Sequence, residues 1–197
     1  MSTSTYHHGD LRKALVEAAL KILREVGPAE LSLRAVSRQA GVSAMAPYRH
    51  FADKDALLAG VAALGFEMFA LRLRQATAMG CNPRSALKAQ GLAYVRFARD
   101  EPALFRLMFG PVIRGTSAIE TLATAGASAY AALQDAVAAY RPDAAPSARD
   151  DVTLACWAIV HGLACLIVDG NICQGVTGQY IDAQAARILE LLLNERF

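Results

Sequence analysis

Long runs of β-branched residues are missing from this chain, whereas alanine and leucine are abundant throughout. Alanine and leucine have high helix propensities, and apolar side chains return at intervals of three and four residues in the longer segments. Hydrophobic residues make up 54% and charged residues 19% of the 197 positions, a composition that excludes wholesale disorder. We therefore expect an all-α protein, with room for one large domain or two small ones that share a core.

Charge alone does not identify a partner. The formal net charge is +2, and residues 1–60 hold eight Lys or Arg against six Asp or Glu, with three of the four histidines. A basic excess of this size is also typical of an ordinary solvated surface, so nucleic-acid binding has to be argued from a motif.

The cysteines and the N-terminus point to a cytoplasmic protein. The cysteines, at 81, 156, 165 and 173, form neither a Cys-x-x-Cys pair nor a zinc-spaced cluster with histidine, so no metal and no cofactor is expected. The first residues lack a signal pattern, and residues 152–168 are too short and too interrupted, by Trp157 and His161, for a membrane span. We expect reduced thiols and no membrane partner.

Helix-breaking and capping residues divide the N-terminal part into four helices. Gly27 ends the first helix, Ser32 is a good N-cap for the second, Gly41 suits the left-handed turn that ends it, and Asp53 caps the fourth. The expected helices cover residues 10–26, 33–40, 43–50 and 54–78.

Polar breaks are sparser in the rest of the chain. Asn82 and Pro83 begin a helix, Pro102 begins a short one, and Ser147 is the expected N-cap after a loop with two prolines. The expected helices cover residues 84–100, 102–109, 116–140, 148–169 and 179–195.

The segment Ala40-Gly41-Val42-Ser43 is typical of the turn in a helix-turn-helix, where Gly41 permits a sharp turn and Val42 fills the angle between the helices. Tight turns of this kind also occur in proteins that never touch DNA. The longer stretch LSLRAVSRQAGVSAMAPYRHFADKDALL, residues 31–58, resembles the TetR family of bacterial regulators, and the likeness extends over residues 10–60.

The resemblance implies a three-helix DNA-binding domain over residues 1–60 and a larger helical domain over residues 61–197. The larger domain is expected to bind a ligand and to form a homodimer through its last two helices. The long helix that begins at Lys54 would link the two domains and act as the lever between effector and operator DNA. In this family the operator-bound protein is most often a repressor.

Candidate DNA contacts fall into two groups. Family positions that match Ser32, Tyr48 and Lys54 commonly bind the phosphate backbone, which suits a hydroxyl or ammonium near a helix start. Ser32 also has the simpler reading of an N-cap only. Base contacts are expected from Ser43, Ala44, Met45, Ala46, Arg49 and His50.

The base-reading group is poor in hydrogen-bonding side chains. It contains no Asn or Gln for adenine and no early Arg for guanine. Ala44 and Met45 can only meet thymine methyl groups or fill space, and Pro47 departs from the commoner family pattern. An N-terminal arm made of Tyr6, His7, His8, Arg12 and Lys13 is as consistent with DNA contact as with a frayed terminus.

Residues 61–197 show no catalytic constellation, so no enzyme is expected. His161 shares an apolar helical face with Trp157, where a hydrogen-bonded core histidine is the commoner case. The sequence Trp157-Ala-Ile-Val-His161-Gly162 resembles a C-terminal regulatory type named for Trp, His and Gly (WHG). Two further helical faces carry small residues along 155–165 and apolar residues along 181–192. A bundle formed by one chain is too thin to bury both faces, which favours pairing with a second copy.

Large apolar side chains in the middle helices are the candidate lining of an effector site. Ordinary core packing is the alternative explanation and accounts for most of them. The candidates are Phe66, Phe97, Phe105, Met108, Phe109, Tyr130, Trp157 and His161. An apolar pocket with few polar groups would suit a lipophilic or aromatic molecule. Two other functions stay open: a redox-responsive regulator that uses Cys173 in its Gly-rich loop, and a helical enzyme.

Overall fold

The computed structural model describes residues 8–111, 113, 116–173 and 175–194. These residues form α-helices without a single strand, so the all-α prediction is confirmed. The helices are α1 His8–Val26, α2 Leu33–Ala40, α3 Lys54–Ala78, α4 Pro83–Asp100, α5 Pro102–Phe109, α6 Thr116–Tyr140, α7 Pro146–Val168 and α8 Gly178–Asn194, with a 3₁₀ turn at Pro47–Arg49.

The chain divides into two compact units. Unit 1 comprises Met1–Gly65 and Ala103–Ala125, and unit 2 comprises Phe66–Pro102 and Gly126–Phe197. Helices α3 and α6 therefore each contribute residues to both units. The domain boundary at residue 60 stays a prediction. The expected arm residues Tyr6 and His7 lie outside the described residues, whereas His8, Arg12 and Lys13 belong to α1.

Unit 1 contains a small apolar core under the helix-turn-helix. Leu15, Val36 and Leu57 have no exposed surface, and Phe51 is 2% exposed. The guanidinium of Arg12 lies 5.3 Å from the centroid of the Phe51 ring, a cation–π contact between α1 and the segment before α3. Val42, expected to fill the angle between the helices, is half-buried.

Unit 2 is built around α4, which packs against both α7 and α8. One apolar cluster joins Leu87, Val137, Cys156 and Leu192, so it takes residues from α4, α6, α7 and α8. At Gly91 a Cβ atom would lie 2.9 Å from Leu189 Cδ2, closer than side chains approach. The glycine therefore allows α4 and α8 to come together.

Most of the predicted helix ends are present. Ser32 Oγ accepts a hydrogen bond from the Ala35 N–H at 3.1 Å, and Asp53 Oδ1 accepts one from the Ala56 N–H at 2.8 Å. Asn82 and Ser85 form a reciprocal capping box at the start of α4. The prediction for Ser147 is wrong: α7 begins at Pro146, after an extended Ala145 that makes no side-chain cap.

The apolar face predicted for α8 is buried within its own chain. Ile181 and Ala185 pack with Val95 of α4 and Leu163 of α7. The side chain of Leu191, by contrast, is 66% exposed. For Ile181, Ala185 and Leu192 the assignment to a partner is therefore wrong, because neighbouring helices of the same chain cover them, whereas Ile188 is half-buried. The homodimer through the last two helices stays a prediction.

Helix α7 keeps an exposed stripe with a spacing of four residues. Leu154 and Leu166 are 56% and 44% exposed, and the stripe between them passes through Ala158 and Gly162. Helices α3 and α7 are long and apolar enough to span a membrane by length and composition alone. That is weak evidence, since buried core helices such as α3, whose apolar window is 61% buried, pass the same test.

Candidate nucleic-acid interface and aromatic cluster

The turn after α2 follows from local chemistry. Gly41 adopts a left-handed φ of 67°, which suits a residue without a side chain. Its N–H donates to the Arg38 carbonyl at 3.2 Å, and the Val42 N–H donates to the Ser37 carbonyl at 3.0 Å. Ser37 is buried and donates its hydroxyl to the Leu33 carbonyl at 2.8 Å. These bonds satisfy the carbonyls of Ser37 and Arg38 near the end of α2.

The predicted third helix over 43–50 is wrong as a continuous α-helix. Residues 43–46 form a turn in which the Ala46 N–H donates to the Ser43 carbonyl at 3.0 Å, followed by the 3₁₀ turn Pro47–Arg49. Pro47 has no N–H to extend the ladder beyond Ala46. Its buried ring stands at the start of the 3₁₀ turn, so the segment is a short and tight version of a recognition helix.

This turn presents its side chains to solvent. Of the predicted base-reading residues, Ser43, Ala44, Met45 and Arg49 are exposed, whereas Ala46 and His50 are half-buried. Tyr48 is also exposed, at 47%. The exposed residues form one surface over residues 43–49, which we call the reading surface.

The other two predicted phosphate contacts already have partners in the protein. Lys54 donates from Nζ to the Pro28 carbonyl at 3.0 Å, so it holds the loop after α1. Ser32 caps α2. Both side chains remain exposed, which leaves the ammonium and the hydroxyl accessible to a phosphate.

Two cations on α2 were missed by the sequence reasoning. Arg34 and Arg38 are exposed and lie four residues apart on one face of α2. Neither forms an ion pair with another described residue. Their spacing on the helix before the turn was the signal that could have marked them as further candidates for phosphate contact.

Unit 2 contains an aromatic cluster around His161. The hydroxyl of Tyr94 lies 2.7 Å from His161 Nδ1, and Cys165 Sγ lies 3.5 Å from His161 Nε2. The ring centroid of Trp157 lies 6.2 Å from that of His161 and 5.6 Å from that of Tyr130. Tyr94 was missed as a site residue, because 67 positions separate it from its partner.

Burial sets the charge of this cluster. It lowers the pKa of His161 and raises that of Tyr94 well above its usual range, so both groups are neutral near pH 7. The hydrogen bond between the Tyr94 hydroxyl and Nδ1 therefore joins two neutral groups, and the imidazole tautomer sets which of the two donates. The cluster offers an apolar ligand aromatic faces with few polar groups.

The predicted effector residues are divided between the units. Phe105, Met108 and Phe109 belong to unit 1, where the rings of Phe105 and Phe109 lie 4.9 Å apart. Phe66, Phe97, Tyr130, Trp157 and His161 belong to unit 2. Phe97 is completely buried, which fits core packing, whereas Tyr130, Trp157 and His161 keep exposed surface.

A cleft of about 300 Å³ lies elsewhere in unit 2. Its walls are Arg74, Thr77, Ala78, Pro83, Ala86, Ala132, Asp135, Ala136 and Ala139, and none of the predicted effector residues lines it. Gln90, 2% exposed, donates from Nε2 to Thr77 Oγ1 and to the Ala132 carbonyl, at 3.1 and 2.9 Å. Its Oε1 has no hydrogen-bond partner among the described residues.

The thiols occupy different surroundings. Cys156 is packed in the apolar cluster with Leu87, and burial raises its pKa, which disfavours the reactive thiolate. Burial and the nearby Asp169 raise the pKa of Cys165 as well. Cys173 is half-buried and donates to Gln184 Oε1 at 3.2 Å. The redox alternative stays a prediction that rests on Cys173.

Comparison with known proteins assigns both parts of the chain. Residues 15–61 match the model for bacterial regulatory proteins of the tetR family, and residues 87–192, more than half of the chain, match the tetracyclin repressor-like C-terminal domain.

Solved structures agree over nearly the full length. A protein of unknown function from Rhodococcus sp. RHA1 is 29% identical, with 97% of each chain covered and a TM-score of 0.76. A TetR-family regulator from Bordetella parapertussis is 17% identical, covers 96% of this chain and 97% of its own, and has a TM-score of 0.65. The regulator FadR from Bacillus subtilis, solved with stearoyl-CoA, is 12% identical, with 92% and 97% covered and a TM-score of 0.72.

Proposed function

Because the chain belongs to the TetR family of bacterial regulatory proteins, we propose that it is a repressor that leaves its operator when it binds a small, mainly apolar effector. The observation that carries the DNA-binding half is the reading surface at residues 43–49, in a unit with a buried core that also exposes Ser32 and Lys54. A surface of this kind fits the major groove, with the flanking groups on the phosphates.

The test is a selection of duplexes from a random-sequence pool by the purified protein. Retention of related sequences with two half-sites is the expected result, and a pool without enrichment would contradict the proposal. The retained duplex is then titrated at several salt concentrations. Lys54→Met should weaken binding to all sequences alike and lower the slope of log K against log salt by about one. Tyr48→Phe should also weaken binding, whereas Lys54→Arg keeps the charge and serves as the control.

We further propose a homodimer through α7 and α8, with the exposed stripe of α7 at its centre. Support comes from Leu154, Ala158, Gly162 and Leu166, which lie on one face of α7 and have little cover in the monomer. Only 22% of the apolar window of this helix is buried. A second copy, rather than a membrane, is the proposed cover, in a cytoplasmic protein that does not catalyse a reaction.

The proposed effector site is the aromatic cluster of unit 2, with the C-terminal domain of the WHG type. Trp157 and Tyr130 supply flat apolar surface there, and the Tyr94–His161 pair supplies the few polar atoms. FadR, which shares the fold, was solved with an acyl-CoA, so long-chain acyl compounds belong in the set of molecules to be tested. The repressor role predicts that the effector lowers operator affinity.

A further inference from the structure

The reading surface has an apolar residue at its tip. Met45 is 66% exposed, more than any other large hydrophobic residue described in unit 1. Only six positions further along, the ring of Phe51 is 2% exposed. Ser43 and Ala44, which precede Met45 in the same turn, are exposed as well. The long thioether side chain of Met45 is therefore available to contact a molecule that binds to this surface.

Hydrogen-bonding groups are scarce around Met45. The hydroxyl of Ser43 both donates and accepts, so it does not discriminate between bases. Pro47 has no N–H, and Tyr48 and Arg49 belong to the following 3₁₀ turn. Apart from the unselective Ser43 hydroxyl, the first part of the reading surface can thus recognise a base only by shape and apolar contact. In the major groove the apolar feature is the C5-methyl group of thymine.

We propose that Met45 recognises thymine through its C5-methyl group, so that methyl contact is a main source of operator specificity. This inference rests on the proposed DNA binding and names the chemical feature that is recognised. Ala44, with a single methyl group, lies beside Met45 and adds to the same apolar contact. Each half-site of the operator then requires a thymine opposite Met45.

The experiment removes the methyl group from the DNA and its partner from the protein. A duplex retained from the random pool is resynthesised with deoxyuridine for individual thymines, which keeps base pairing and deletes only the methyl group. For wild type, one such position in each half-site should weaken binding about fourfold, which at 1.4 kcal/mol per tenfold is ~0.8 kcal/mol. Deoxyuridine elsewhere in the duplex should have no effect.

The protein arm is a double-mutant cycle. Met45→Ala removes the side chain from both protomers, so it should bind the thymine duplex about sixteenfold more weakly than wild type. It should also lose most of the preference for thymine over deoxyuridine. Met45→Leu should keep the discrimination. The matched control is Met79→Ala, which truncates a methionine that is 85% exposed and lies outside the helix-turn-helix.

The outcomes distinguish a failure of methyl recognition by Met45 from a failure of the proposed DNA binding. If no sequence is enriched from the pool, the proposed DNA binding is wrong. If sequences are enriched but wild type binds thymine and deoxyuridine equally, or if Met45→Ala keeps the full preference for thymine, Met45 does not recognise the methyl group and the inference is overturned.

Discussion

Ser32 caps α2 and is also a proposed contact to a DNA phosphate, and one substitution distinguishes the two roles. Asp is as good an N-cap as Ser, so Ser32→Asp should keep the hydrogen bond from the Ala35 N–H and leave the free energy of unfolding within about 0.5 kcal/mol of wild type. A carboxylate in this place repels phosphate, so operator affinity should fall at least tenfold. Urea unfolding and operator titration measure the two effects. Full affinity in Ser32→Asp would mean that the residue is only a cap.

His161 predicts a pH dependence of stability. Burial lowers its pKa below the ordinary value of 6.5, so the unfolded chain takes up a proton more readily than the folded one. The contribution of neutral His161 is therefore complete above that pH and decreases as the pH falls towards the folded pKa. Wild type should lose more stability than His161→Gln between about pH 7.5 and pH 5.5 in urea unfolding. Parallel losses would show that His161 has the same pKa in both states.

At the scale of elements, the stripe on α7 gives a prediction with opposite effects on folding and assembly. A Cβ at Gly162 would meet nothing within 4 Å in the monomer. Gly162→Leu should therefore not destabilise the monomer, and the lost glycine should stabilise α7 by up to about 1 kcal/mol. In a dimer that packs along the stripe, the same side chain should raise the dissociation constant about tenfold through overpacking.

Sedimentation at micromolar concentration measures the dimer, and thermal unfolding of the dissociated protein measures the monomer. Ala127→Leu, on the exposed side of α6, adds bulk outside α7 and α8 and should leave the dissociation constant unchanged. A Gly162→Leu protein that dimerises like wild type would place the interface elsewhere.

Features with short-range causes were predicted well from the sequence. The cap at Ser32, the left-handed Gly41 and the cap at Asp53 depend on residues at most five positions away. The third helix was predicted wrongly as a continuous α-helix. Pro47 lacks the N–H that an α-helix needs there, and the segment is too short to form further helical hydrogen bonds. The face of α8 was also assigned wrongly, since a sequence shows that Ile181 is apolar but not that α4 covers it.

In the candidate site, too, features with short-range causes were predictable and features that depend on helix packing were not. Exposure of Ser43, Ala44, Met45, Tyr48 and Arg49 follows from the local turn, so the reading surface was largely predictable. The pair Tyr94–His161 and the orphaned Gln90 oxygen depend on which helices become neighbours. Helical periodicity identified apolar faces but not the helices that pack against them. The predicted effector residues therefore included core residues such as Phe97 together with partly exposed ones such as Trp157.

At the scale of the whole molecule, the function requires coupling between effector and DNA. Helix α3 contributes residues to unit 1 and to unit 2, so a change in α3 is the proposed route between the sites. An effector can lower operator affinity only by the ratio of its affinities for the released and the DNA-binding conformations. A hundredfold decrease requires the two binding free energies of the effector to differ by ~2.7 kcal/mol. Reciprocity requires operator DNA to weaken effector binding by the same factor.

Trp157, the single tryptophan of the chain, reports on the proposed effector site without a label. Lipophilic and aromatic compounds, including acyl-CoAs, are titrated while Trp157 emission and operator release are followed in the same sample. Both signals should change at the same ligand concentration. His161→Phe should shift that concentration and leave operator affinity without ligand unchanged, since it removes the bond to Tyr94 inside unit 2. Ala139→Phe, which adds bulk to the separate cleft, is the matched variant and should respond as wild type does. If Ala139→Phe abolished the response and His161→Phe did not, the effector would bind in the cleft beside Gln90 and not at the aromatic cluster.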